Sequence, residues 1–384
     1  MDKISIIVAF RNRDVTRVSR FLESLSKQTS TNFELIFVDS GSDFTLAEEI
    51  KKLVESFSFT KYIYNDSRGR DWNKCIALNI GSKQSTGNFL YFTDIDLIFH
   101  EGYIEHLYSL KDAKCQIYTR VFMVNEKFVD YESIFNTDVN SFSEISHTSG
   151  KGILLVSKDV FNEIGGYDEY YSDWGVEDND IYIRLCAYGL IEKWADFEKY
   201  PVFHQWHVTN DRFHIYPEKW LDDISFHYIT KQKKYKRNVN PGKWTETISR
   251  KVINVFNDNT IQTIEIPAFG ITTTKTLFYR QIWDALFLKD STCFRIIVPK
   301  YVVPKMSFFQ ITIYKFLVKL LKTINSPFSL EYFQKKERHK YFLPEEDIKW
   351  YIRKLVKDTD LIEDYYIMEE IDRTIYYIES NQKN

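Results

Sequence analysis

Continuous apolar runs alternate with stretches of helical spacing through the first hundred residues. Ile4–Phe10 predicts a strand, Val15–Leu25 a helix, Phe33–Val38 a strand and Thr45–Ser56 a helix. Lys61–Tyr64 then predicts a short strand, Asp71–Ser82 a helix and Asn88–Phe92 another strand. Strands that are apolar throughout and joined by helical crossovers need cover on both sheet faces. The pattern therefore predicts an α/β fold, a Rossmann-like and mainly parallel sheet flanked by helices. Further along, Gly152–Val156 reads as a strand, Ser157–Ile164 as a short helix and Gly165-Gly166-Tyr167 as a turn. Glu177–Tyr188 reads as a helix with Glu177, Asp178 and Asp180 in its first turn, and Tyr200–His207 as a strand.

The character of the chain changes near residue 230. Lys231–Arg237 is a basic run and Asn240-Pro241-Gly242 a turn signal, so a boundary is expected there. It divides a domain at 1–230 from an accessory region at 231–384 that meets the acceptor, a membrane or a second copy of the chain. That region is expected to be mostly helical. Val252–Ile266 reads as a hairpin around Asn257-Asp258-Asn259, Phe308–Ile324 as an amphipathic helix and Ile348–Ser380 as two charged helices.

Composition narrows the classes. With 51 Lys+Arg against 54 Asp+Glu the net charge is -3, which excludes a histone-like coat on nucleic acid. Cys75, Cys115, Cys186 and Cys293 form no CxxC pair, which speaks against a zinc ribbon. The apolar run at the N-terminus is too short for a membrane span or a signal segment, so a cytoplasmic protein with reduced thiols is expected, docked at most peripherally on a membrane.

In a parallel sheet, ligands bind beyond the carboxyl ends of the strands. Three such ends turn abruptly polar: Arg11-Asn12-Arg13-Asp14, Asp39-Ser40-Gly41-Ser42-Asp43 and Thr93-Asp94-Ile95-Asp96. The residue between Asp94 and Asp96 would put both carboxylates on one side of an extended backbone, where hard oxygen ligands suit Mg²⁺ or Mn²⁺. His204-Gln205-Trp206-His207 supplies two imidazoles, either of which could complete a site begun by Asp96, and a mixed donor set favours Mn²⁺. Trp174-Gly175-Val176-Glu177-Asp178 offers a carboxylate as general base. Each piece has an ordinary structural alternative: a solvated turn, a hydrogen-bonding histidine, a helix cap complementing the dipole.

Jointly the pieces resemble a GT-A-fold glycosyltransferase of the family 2 type with a β-1,4-galactosyltransferase-like C-terminal motif. The resemblance lies in Ile4–Arg13, Phe37–Ser42, Asn73–Gly81, Phe92–Ile98, Gly165–Tyr167 and Trp174–Arg184, in that order. Val176 departs from a glycine of the family motif. The resemblance implies an inverting, metal-dependent transferase that moves a hexose or N-acetylhexosamine from a UDP-sugar to a saccharide or lipid-linked saccharide. By the same carry-over, Phe10, Arg11, Arg13, Asp39, Asn73, Asp94 and Trp174 would line the donor site. Asp96 with His204 and His207 would hold Mn²⁺ or Mg²⁺, Asp178 would be the base beside Glu177, and Trp174, Glu177 and Asp178 would meet the acceptor. The competing expectations are a sugar-phosphate nucleotidyltransferase, for which Arg11-Asn12-Arg13 lacks the glycines, and a non-catalytic carbohydrate-binding protein.

Overall fold

The computed structural model describes residues 3–128, 130–136, 146–173, 176–208, 218–231, 250–266, 271–287, 292–299 and 345–381. The chain divides into two compact units, Met1–Ile248 and Ser249–Asn384, against the break expected near residue 230. Phe308–Ile324, and the basic run beyond Lys231, lie outside the described residues.

The first unit is built on β1 (Ile4–Phe10), α1 (Val15–Ser26), β2 (Phe33–Ser40), α2 (Phe44–Glu55), β3 (Thr60–Asn65), α3 (Lys74–Gln84) and β4 (Phe89–Thr93). It continues with β5 (Leu97–Phe99), α4 (Tyr103–Leu110), β6 (Cys115–Met123), β7 (Ser146–Ser157), α5 (Lys158–Glu163), α6 (Glu177–Tyr188), β8 (Ile191–Trp194), β9 (Val202–His204) and α7 (Glu218–Lys231). One sheet runs β3-β2-β1-β4-β7-β6-β9-β5, with β8 beside β6. Strands β3, β2, β1 and β4 are parallel to one another. Strand β7 is antiparallel to both β4 and β6, and β5 is antiparallel to β9. The sheet is thus mixed, with its parallel half where the sequence is apolar without interruption.

That parallel half forms because both of its faces are covered. Ile4, Ile6, Ile7, Val8, Leu35, Ile36, Phe37 and Val38 are fully buried. Helix α1 starts where Asp14 Oδ1 accepts the Arg17 backbone N–H at 2.9 Å, a side-chain cap on an otherwise orphaned donor. Helix α3 lies so close to the sheet that a Cβ on Gly81 would collide with Ile7.

Register then fixes which residues share the sheet's upper rim. Phe10 pairs with Asp39 across β1–β2, and Val8 with Thr93 across β1–β4. The polar segments after β1, β2 and β4 therefore emerge side by side. The expected strand Tyr200–His207 is shorter, Val202–His204, and its pairing carries the chemistry: Leu97 of β5 faces His204 of β9.

Among its described residues the second unit carries a sheet beside the expected helices. A four-stranded sheet of order β10-β11-β13-β12 is formed by β10 (Gln262–Glu265), β11 (Cys293–Pro299), β12 (Ile362–Glu369) and β13 (Arg373–Ser380). Helices α8 (Lys251–Asn254), α9 (Ile271–Phe287) and α10 (Glu345–Asp358) accompany it. Val252–Ile266 is not a hairpin. It is α8, a turn and β10, which lies parallel to β11. Of the two helices expected in Ile348–Ser380, the first belongs to α10 and the second is the β12–β13 hairpin. Central β13 is buried on both faces from Thr374 to Ser380, so it lacks the alternation that distinguishes a half-exposed strand from a helix.

Candidate active site

The turn Asp94-Ile95-Asp96 links β4 to β5, so its backbone is not extended, and the two carboxylates part company. Asp96 Oδ2 lies 3.4 Å from His204 Nε2 and 3.4 Å from His207 Nε2. Among the described residues these three are the group able to converge on one cation, their ligand atoms all within 4.8 Å of one another. The β5–β9 pairing brings in His204. The intervening Gln205, fully buried, ties the two ends together: its N–H donates to the Asp96 carbonyl at 2.8 Å and its Nε2 to the Arg17 carbonyl at 3.1 Å.

Electrostatics distinguish this cluster from an ordinary surface pair. Burial alone would raise the Asp96 carboxyl, but hydrogen bonds and charge from His204 and His207 overcome it and hold it well below the ordinary range. Burial pulls His204 down, and the Asp96 carboxylate more than offsets that, so its net displacement is upward. Asp96 Oδ1 and His204 Nδ1 are buried with no hydrogen-bond partner among the described residues. One carboxylate and two imidazoles with unused buried acceptor capacity fit a divalent ion such as Mn²⁺.

Asp94 turns the other way, to Lys74 Nζ at 2.8 Å. The charges of Asp178 and Glu177 act on the same lysine. Burial pushes the Asp178 carboxyl up; Lys74 opposes that and Asp94 adds to it. Burial, reinforced by Asp178, raises Glu177 to about 7. Asp178 Oδ1 and Glu177 Oε2 are buried without partners among the described residues. Opposite them Gly152 of β7 is bare: a Cβ there would lie 2.7 Å from Asp178 Oδ2.

The approach to α6 is held from several sides. Asn79 on α3 donates through Nδ2 to the Tyr167 carbonyl and to Glu169 Oε1, both at 2.9 Å, and its Oδ1 accepts the Tyr167 N–H at 2.9 Å. Within α6 the buried pair Asp180–Arg184, 2.7 Å apart, anchors the helix, and Arg184 also donates to the Ile164 carbonyl at 3.2 Å. From α7, His227 Nε2 meets Asp168 Oδ2 at 2.8 Å and stacks on Tyr170 at 3.9 Å between centroids.

On the other flank, Asp39 is fully buried. Its Oδ1 accepts the Ser42 N–H and its Oδ2 the Tyr62 hydroxyl, both at 2.9 Å, yet burial still leaves its carboxyl raised. Arg11 Nη1 donates to the Arg70 carbonyl at 2.9 Å, and the Arg11 charge reaches Asp39. Arg13 is exposed beside them.

Two residues expected at the donor site make structural contacts of their own. The Phe10 ring is buried in the core, 5.2 Å from the Phe37 ring, because its position on β1 faces inward. Asn73 is a structural cap: its Oδ1 accepts the Ile76 N–H at 3.0 Å and its Nδ2 donates to the Glu169 carbonyl at 2.9 Å. Trp174 lies outside the described residues. Lys74 and Gly152 were missed by reading the sequence. A lysine beside the cap of a helix was a visible signal for the first, whereas a glycine inside a strand carries no address for its partner.

Residues 5–155 match the family model for glycosyl transferase family 2, and residues 133–208 match that described as the N-terminal domain of galactosyltransferase. An uncharacterized glycosyltransferase of Haemophilus influenzae is 26% identical over 242 residues, 59% of this chain and 77% of its own. Glycosyltransferase GlyA of Streptococcus pneumoniae is 23% identical over 53% of this chain, and the match spans 25% of its own length. A probable N-acetylgalactosaminyltransferase 7 of Caenorhabditis elegans is 22% identical over 62% of this chain and 47% of its own. Among the described residues, no helix is long and apolar enough to cross a membrane. The Asp96 cluster and the Asp178 cluster both fall within the matched span, on a GT-A-like mixed sheet. The protein is a glycosyltransferase whose N-terminal unit is similar to family 2 over residues 5–155 and to the N-terminal domain of galactosyltransferase over residues 133–208.

Proposed function

We propose that the N-terminal unit moves a hexose or N-acetylhexosamine from a UDP-sugar to a hydroxyl of a saccharide or lipid-linked saccharide, with inversion, in building a surface polysaccharide or oligosaccharide. The observation that carries this reading is the convergence of Asp96, His204 and His207, at 3.4 Å for both pairs, on the rim beyond the parallel strands. A divalent cation bound there, Mn²⁺ before Mg²⁺, would neutralise the charge gathering on the two phosphates as UDP leaves. A relative named as an N-acetylgalactosaminyltransferase supports an N-acetylhexosamine donor.

The chain's own residues supply the rest. Arg11 and Arg13 offer positive charge next to the diphosphate, and Asp39, buried at the end of β2, faces the nucleoside. Asp178 takes the proton of the acceptor hydroxyl as the new bond forms, with Glu177 beside it as an acceptor contact. One base acting on one face of the sugar makes a single displacement, and a single displacement inverts the anomeric centre.

The reading is tested with UDP-Gal, UDP-GalNAc, UDP-Glc and UDP-GlcNAc, each offered with Mn²⁺, Mg²⁺ or EDTA, by following UDP release. Release from at least one donor with Mn²⁺, lost in EDTA, is expected. The product anomer, followed by NMR, should be inverted; a retained configuration, or release indifferent to EDTA, would sink it.

A further inference from the structure

Lys74 brings α3 against the turn after β4, where the charges of α6 also act on it. Lys74, the first residue of α3, places its Nζ 2.8 Å from Asp94 Oδ1, and the charges of Asp178 and Glu177 also act on it. The start of α3 is rigid, because Asn73 caps it and is itself bonded to the Glu169 carbonyl on the way to α6. The lysine side chain is 18% exposed, so its charge is poorly screened. Like charges buried near one another drive one another toward the neutral form unless a cation sits among them.

We propose that Lys74 is a positioning residue for transfer: its charge, set among Asp94, Glu177 and Asp178, keeps Asp178 ionised and able to accept the acceptor's proton. The inference rests on the reading of Asp178 as the base. The groups facing Asp178 are Lys74 and Cys75 from α3, Asp94 after β4, Glu177 on α6 and the Tyr167 hydroxyl before it. Of these, Lys74 is the cation. Burial and Asp94 raise the Asp178 carboxyl and Lys74 lowers it, in agreement with the geometry. Lys74 in turn is held well above the usual lysine range, because the three carboxylates outweigh the cost of burying its charge.

The experiment compares wild type, Lys74→Met, Lys74→Arg and Asp178→Asn between pH 5 and 9, reading kcat/KM for UDP release from the donor that the wild type uses with Mn²⁺. Lys74→Met should move the acid limb upward by about one pH unit, a loss of about tenfold on that limb that shrinks as pH rises. Lys74→Arg should keep the limb in place. Without substrate, the gap in Tm between wild type and Lys74→Met should widen from pH 5 to 8, as carboxylates that lack their cation ionise. An acid limb that stays put together with a pH-independent Tm gap would overturn the proposal. If Lys74→Met does not fold, Lys74→Gln takes its place. Unchanged release by Asp178→Asn would remove the base reading itself, whereas an inactive Asp178→Asn beside an unmoved Lys74→Met limb would remove only the role of Lys74.

Discussion

Gly152 on β7 stands where any side chain would touch Asp178: a Cβ there would sit 2.7 Å from Asp178 Oδ2. The collision would be with the end of a movable side chain and not with backbone, so the carboxylate would yield and the sheet would not. Gly152→Ala should therefore cost about 10- to 100-fold in transfer rate, the cost of moving a reacting group by about 1 Å, while Tm changes by about 4 °C or less. Steady-state kinetics and calorimetry check this together. A large fall in Tm, or undiminished activity, would contradict it.

The Asp96 cluster makes a second prediction. Asp96→Ala should abolish the Mn²⁺ dependence of UDP binding, because it removes the one carboxylate from the set with His204 and His207. His204→Ala and His207→Ala should each weaken it by about 10- to 100-fold, the usual loss when a metal site loses a supporting group. Calorimetric titration of UDP with and without Mn²⁺ reads the effect; an unchanged Mn²⁺ response in Asp96→Ala would refute the assignment.

Activity and stability should move in opposite directions with pH. Glu177, raised by burial and by Asp178 from 4.5 to about 7, and Asp178, also raised by burial, bind protons more tightly folded than unfolded. The Glu177 contribution to stability is complete below about pH 4.5 and is lost as pH climbs through about 7, and the Asp178 contribution is likewise lost as pH rises. A base must be ionised, so activity should rise as pH climbs through the raised pKa of Asp178. Denaturant titrations of wild type and Glu177→Gln at pH 5 and 8 test the stability arm. An equal pH dependence in both proteins would count against it.

His227 gives a prediction away from the chemistry. Its 2.8 Å bond to Asp168 and its stacking on Tyr170 tie α7 to the segment leading into α6. His227→Ala leaves the buried Asp168 carboxylate without that partner, at a cost of about 1–3 kcal/mol. Hydrogen exchange should then quicken by about tenfold or more across 168–173, with strands β1 and β2 unaffected. Slow exchange preserved in that segment would show that the other contacts suffice.

Much of the first unit was legible in the sequence because its signals are local. Ile4–Phe10 and Glu177–Tyr188 begin and end where hydrophobic spacing placed them, since a strand buried on both faces and a helix opening on acidic residues both declare their limits. The chemistry-bearing triplets were also visible, since polar residues that end apolar strands stand out. In the second unit the same rule misled. Ile375-Tyr376-Tyr377-Ile378 lies in a strand covered on both sides, and an uninterrupted apolar run beside charged residues reads equally well as helix.

In the first unit, residue order by itself determined most strands and helices and the kinds of side chain available at each strand end. Tertiary structure decided which of them meet. The β5–β9 register set His204 against the Asp96 turn, and the packing of α3 put Lys74 on Asp94. Spacing along a chain fixes which way a side chain leaves its own element. Proximity between distant elements depends on strand pairing and helix packing, which are cooperative properties of the whole fold.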